Sequence, residues 1–270
     1  MKQGIMYNKR NINTWETARE RQEGLLIGYL VSGDPSPETS LQIIKEGIEA
    51  GMDILELGIP SREPKLDGPI IQRGHQRAIE SGSDDVAVII EQCHKIRKMV
   101  HSPIWVMGYK AEVVDSGLYV KLAEQELVDA LVLPDCSLEQ QLQIEQEVAR
   151  YGVDVIRFVN GGMDDEMMRK AADGTSIIYA QSYTGATGGS LAEEDSLAEL
   201  CERTRKFLPH GMIVAGFGLR TPDTVSGVMA SGFDGAVVGT AFVSHLEHGE
   251  KDAFLQLIAD MKQATMQVPN

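Results

Sequence analysis

The stretch Leu25-Leu26-Ile27-Gly28-Tyr29-Leu30-Val31-Ser32-Gly33-Asp34-Pro35-Ser36-Pro37 decides how the chain is read. Its apolar run, Leu25 to Val31, is too short for a helix and reads as a buried strand. Ser32-Gly33-Asp34-Pro35 breaks it. Ser36 then offers a helix cap, with Pro37 at the first helical position. The helix places Leu41, Ile44 and Ile48 on one face and stops near Gly51. Strand, turn and helix form one unit.

Outward from this unit the pattern repeats. Further strand-like cores fall at Ile54–Leu57, Ile104–Met107, Ala130–Leu133, Val155–Val159, Ser176–Ala180, Met212–Ala215 and Gly235–Val238, making eight with the first. Helical patterns follow, including Leu138–Tyr151 after the cap candidate Ser137 and Pro222–Ala230 after Thr221. The interval between the second and third strands holds two helices, Ile70–Ser81 and Asp84–Val100. No Pro-, Gly- or Ser-rich linker divides the chain, so residues 1–270 read as one domain, with residues 1–24 an N-terminal helical extension. Eight strand–helix units point to a closed parallel (β/α)8 barrel, a TIM barrel with an extra helix between strands two and three. The competing architecture is an open doubly wound sheet, and the count of eight favours the barrel.

Composition narrows the function classes. At 270 residues and 43% apolar, the chain has ample core. With 25 Lys and Arg against 40 Asp and Glu, the net charge of −15 disfavours nucleic acid and anionic membranes as partners. Cys93, Cys136 and Cys201 are odd in number and widely spaced, which argues against a disulfide framework or a cysteine zinc site and suits a reducing compartment. No signal-peptide block or membrane-length apolar run is present, so a cytoplasmic location is expected.

In a barrel the chemistry sits just beyond the strands' carboxyl ends. Glu56 interrupts the apolar strand Ile54-Leu55-Glu56-Leu57-Gly58. It is either an ion-paired structural acid facing a helix or an inward acid/base whose pKa is raised by apolar walls. Asp67, in Lys65-Leu66-Asp67-Gly68-Pro69, is by itself a turn or cap residue before the next helix. Glycine-rich loops follow three consecutive strands: Thr184-Gly185-Ala186-Thr187-Gly188-Gly189, Gly216-Phe217-Gly218 and Gly239-Thr240. Each alone is an ordinary turn; together they favour a phosphate pocket lined by backbone amides. The six histidines show no metal spacing, so no metal is assigned. Lys110 lacks a desolvating pocket and reads as solvated. Neither G-x-S-x-G nor, after the first strand, G-x-G-x-x-G occurs.

In order along residues 20–265, the segments Ser32-Gly33-Asp34-Pro35, Leu55-Glu56-Leu57-Gly58-Ile59-Pro60, Asp67-Gly68-Pro69-Ile70-Ile71-Gln72, Leu133-Pro134-Asp135, Thr184-Gly185-Ala186-Thr187-Gly188, Gly216-Phe217-Gly218 and Gly239-Thr240 resemble the alpha chain of tryptophan synthase. The resemblance implies retro-aldol cleavage of indole-3-glycerol phosphate to indole and glyceraldehyde 3-phosphate. It implies that Glu56 is the acid/base and Asp67 the acceptor of the indole N–H. Tyr29, where phenylalanine is usual, and Tyr179 match substrate-pocket positions. Thr187, Gly188, Gly216, Phe217, Gly218, Gly239 and Thr240 match the phosphate-binding set. No cofactor is implied in this chain; pyridoxal phosphate belongs to a beta-chain partner.

The chain departs from the family in its loops. P-F-S-D-P-L-A-D-G-P becomes Pro60-Ser61-Arg62-Glu63-Pro64-Lys65-Leu66-Asp67-Gly68-Pro69, losing the aromatic and gaining charge. Gly108-Tyr109-Lys110-Ala111-Glu112 lacks the usual N-P, and Cys136-Ser137-Leu138 replaces a proline-bearing segment. After strand six, Ser182-Tyr183 stands for S-R, and Ser190 for an acidic residue. These loops face the beta chain in the family, so the expectation is retained chemistry with altered docking. A compensating beta chain, a stand-alone lyase, a paralogue on another phosphorylated substrate, and a non-catalytic phospho-ligand-binding regulator are the alternatives. The two carboxylates favour an enzyme.

Overall fold

Strands covered on both faces have no polar side to show, which is why continuous apolar runs mark them. In a computed structural model describing residues 8–181, 194–216 and 218–266, these runs become β1 (Leu25–Val31), β2 (Ile54–Gly58), β3 (Ile104–Met107), β4 (Ala130–Val132), β5 (Asp154–Asn160), β6 (Ile177–Gln181), β7 (Met212–Gly216) and β8 (Gly235–Val238). They pair in sequence order, all in parallel, and β8 returns to β1 to close the barrel. The helices are α1 (Lys9–Glu20), α2 (Pro37–Ala50), α3 (Pro69–Glu80), α4 (Val86–Met99), α5 (Leu118–Glu124), α6 (Leu138–Val148), α7 (Asp165–Ala172), α8 (Glu194–Phe207), α9 (Pro222–Ala230), α10 (Thr240–Glu247) and α11 (Lys251–Thr265). The expected barrel, N-terminal helix and extra helix between β2 and β3 are all present.

Alternate residues divide two cores. Leu25, Ile27 and Tyr29 of β1 fill the barrel with Ile54, Trp105, Ile156, Ile177, Met212, Val214 and Val237. Their neighbours, among them Leu26, Leu30, Leu55 and Leu57, pack outward under the helices. Glu56 is two residues from Ile54 and stands level with Tyr29 and Trp105, so the pleat aims it into the barrel.

The three cap candidates hold: Ser36, Ser137 and Thr221 accept from the amides of Thr39, Gln140 and Thr224. The α2 face differs from the reading. Ser40, Ile43, Ile44 and Gly47 are buried, whereas Leu41 and Ile48 lie at the margin. The face turns because α11 packs at Gly47, where an added Cβ would lie 3.5 Å from Phe254 and 2.6 Å from Met52.

Helix α1 closes the barrel floor. Asn11 donates to Asp154 (2.8 Å) and accepts from the Trp105 indole inside the barrel (2.9 Å), while Trp15 donates to Asp234 (3.1 Å). Burial pushes the Asp154 carboxyl up to about 6, against the pull of Asn11 and the Asn8 amide.

Candidate active site

Glu56 and Asp67 meet at the carboxyl end of the barrel, each about 3% exposed. Their surroundings differ. The Glu56 carboxyl makes no hydrogen bond with any described residue. Burial pushes it up to about 8, and the neighbouring Asp67 charge adds to the rise. A carboxyl of that kind holds a proton at neutral pH.

Asp67 is tied down instead. It does not cap α3; the N-cap is Gly68. Its Oδ2 accepts from the Tyr109 hydroxyl (2.7 Å) and lies 3.3 Å from His75 Nε2. Two groups converging on one oxygen define an acceptor, the role of a carboxylate. Burial and Asp67 together push the Tyr109 hydroxyl upward, so it stays a donor.

The reading of the sequence missed Tyr109 and His75 as site residues. Tyr109 follows β3 and reaches across to the loop after β2. His75 is on the buried face of α3 with Ile71, Gly74 and Ala78. A polar side chain inside that apolar face was the available signal. Lys110 behaves as expected, paired at the surface with Asp115 (2.5 Å).

Tyr29 is buried in the inner core and Tyr179 packs against it, both within electrostatic reach of the two carboxyls. Burial, then the charges of Asp67 and Glu56, push Tyr29 upward; Tyr179 rises through burial, then Glu56 and Asp67. Both remain neutral phenols. Their bulk explains three glycines. A Cβ on Gly58 would sit 2.3 Å from the Tyr29 hydroxyl oxygen, and one on Gly216 would sit 2.0 Å from that of Tyr179. One on Gly239 would stand 3.2 Å from Tyr29 Cβ. Gly216 and Gly239 thus make room for tyrosines whatever else they do.

Of the phosphate set, Gly239 is the N-cap of α10, Thr240 is its first residue, and Gly218 has φ +65°. Gly239 offers no side-chain cap, so the leading amides of α10 face the barrel rim. Thr187, Gly188 and Phe217 lie outside the described residues, as do Ser182, Tyr183 and Ser190. No group of three or more His, Cys, Asp or Glu suited to a metal occurs among the described residues.

The departing loops bond to one another. Ser61, at the position of the lost aromatic, is buried and donates to Glu112 Oε1 (2.8 Å) in the π-helical turn Ala111–Asp115 after β3. Arg62 is exposed and paired with Asp84 (2.5 Å), and Glu63 pairs with Lys65 (2.8 Å) on the surface. The aromatic knob is thus replaced by an inward hydroxyl beneath a charged crust.

A (β/α)8 barrel holding a buried carboxyl with no partner among the described residues, pushed up to about 8, beside a second carboxyl held by Tyr109 and His75 has the arrangement found in acid–base enzymes. The model of one family, the tryptophan synthase alpha chain, matches residues 15–269. Tryptophan synthase alpha chains from Methanosarcina acetivorans (33% identical; 87% of this chain, 85% of that one) and Carboxydothermus hydrogenoformans (32%; 93% and 96%) are similar throughout. Among solved structures, tryptophan synthase subunit alpha of Legionella pneumophila shares 26% identity with a TM-score of 0.82, covering 96% of this chain and 99% of that one. A Mycobacterium tuberculosis tryptophan synthase chain at 23% identity and TM-score 0.86, covering 96% and 99%, shares the fold. The chain belongs to the tryptophan synthase alpha chain family and is a lyase of tryptophan biosynthesis.

Proposed function

We propose that the chain cleaves indole-3-glycerol phosphate to indole and glyceraldehyde 3-phosphate, with Glu56 moving the protons and Asp67 holding the indole nitrogen. The observation that carries this is the contrast between the two buried carboxyls: Glu56 has no partner among the described residues and is pushed up to about 8, whereas Asp67 is anchored by Tyr109 and His75. Protonated Glu56 gives its proton to indole C3. Positive charge then develops on the ring nitrogen, whose N–H donates to the Asp67 carboxylate. The Glu56 carboxylate next removes the proton from the hydroxyl on the glycerol carbon bonded to C3. The oxygen lone pair forms the aldehyde, the carbon–carbon bond breaks, and its electrons restore the indole. Glu56 ends protonated, as it began.

The leading amides of α10, with Gly239 and Thr240, suit a phosphate through their unspent N–H groups and the helix dipole. The phosphorylated substrate fits a protein of net charge −15 only through such a local site. These steps ask for no cofactor in this chain; pyridoxal phosphate would belong to a beta-chain partner. Among the described residues no helix is long and apolar enough to cross a membrane. Cys93, Cys136 and Cys201 are unpaired and buried, which suits the cytoplasm we assign.

The test is indole release from indole-3-glycerol phosphate by the pure protein. Glu56→Gln lowers the rate at least ~100-fold, the usual reach of general acid–base catalysis. The wild-type kcat/KM falls as pH rises through about 8, where Glu56 loses its proton. A wild-type protein that releases no indole, with or without a beta chain, ends this reading.

A further inference from the structure

We infer that His75 is a positioning residue, held as its Nε2–H tautomer by the Ser61 backbone amide so that the ring donates to Asp67 and fixes the carboxylate for the indole N–H. The inference deepens the lyase reading and rests on it for the identity of the substrate. His75 is about 1% exposed, and both ring nitrogens have partners. The Ser61 N–H donates to Nδ1 at 3.2 Å. A backbone amide has only a hydrogen to offer, so Nδ1 presents its lone pair and the ring proton is on Nε2. Nε2 lies 3.3 Å from Asp67 Oδ2 and 3.3 Å from the Tyr29 hydroxyl. The ring N–H is therefore shared between these two oxygens, and Tyr29 accepts.

The arrangement has a division of labour. Tyr109 and His75 approach one oxygen of Asp67, Oδ2, from different elements, so neither occupies Oδ1. The opposite tautomer would turn a lone pair toward the carboxylate and oppose a second hydrogen against the Ser61 amide. Ser61 is in turn fixed by Glu112, so the ring is braced from behind.

The test uses the intact wild-type protein and two variants. In wild-type protein carrying 15N-histidine, NMR reports His75 Nε2 protonated and Nδ1 unprotonated. That spectrum is read without substrate, so it stands even if the protein cleaves no indole-3-glycerol phosphate. A Nδ1-protonated or doubly protonated ring overturns the inference. His75→Leu keeps bulk but removes the donor, and lowers kcat at least ~10-fold with KM changed less than ~3-fold, because Asp67 acts on the charge formed during reaction. His75→Gln places an amide N–H near the Nε2 position and restores most of kcat. If His75→Leu retains kcat, or folded His75→Gln is as slow as His75→Leu, His75 has no positioning role.

Discussion

Glu56, the proton carrier of the proposed reaction, is a group that costs the fold stability when it ionises. Its carboxyl is buried with no described partner, and neighbouring Asp67 opposes its ionisation. In the unfolded chain it ionises near its ordinary value of 4.5, but in the folded protein it holds its proton to about 8. Stability contributed by this group is therefore full at acid pH and declines as pH rises between those values. Glu56→Gln has no proton to lose. It is expected to be more stable than the wild type at pH 9, by an amount on the order of a few kcal/mol, and to lose that advantage in acid. Urea midpoints across pH measure this; a constant difference would show that Glu56 is not desolvated as described. The same substitution thus gains stability and loses catalysis.

Helix α3 carries His75 on its buried face and Arg77 two residues on, off that face, and Arg77 anchors the element. Its guanidinium grips Asp34 through both carboxylate oxygens (2.7 and 2.8 Å) and reaches Glu247 of α10 at 2.9 Å. Burial raises Asp34 despite the pull of Arg77. Arg77→Met would strand that acid, at a cost of ~3 kcal/mol. The loss should be full at neutral pH and shrink in acid, as Asp34 takes up a proton; denaturant unfolding at two pH values checks the sign. The elements were legible in the sequence because strands covered on both faces are mostly apolar and their helices carry caps and prolines. The same uniformity hid the direction of Glu56: a run with no polar side gives no phase, and only pairing with Tyr29 and Trp105 supplies it. His75 stood out only as a polar residue in an apolar helix face, and the roles of His75 and Tyr109 were hidden for another reason. Their partners are on other elements, and spacing along one chain carries no trace of a bond between α3, β2's loop and β3's loop.

On the lyase reading, the barrel keeps both carboxyls while its rim presents an altered face to a partner. Arg62, Glu63 and Lys65 stand exposed in the loop that the resemblance expects to face a beta chain, and Ser61 is turned inward to Glu112. Loss of an aromatic anchor together with gain of exposed charge weakens an unmodified interface by several kcal/mol, so we expect no complex with a beta chain adapted to the usual loop. Mixing with a beta chain whose own alpha chain carries the usual loop, with mass and indole rate followed together, is decisive: a complex that accelerates indole release would overturn this expectation. The covered floor gives the rim a second importance. On the lyase reading, with α1 packed across the opposite end through Asn11 and Trp15, the reactant enters and both fragments leave by the rim. Whatever settles on the threshold also governs traffic.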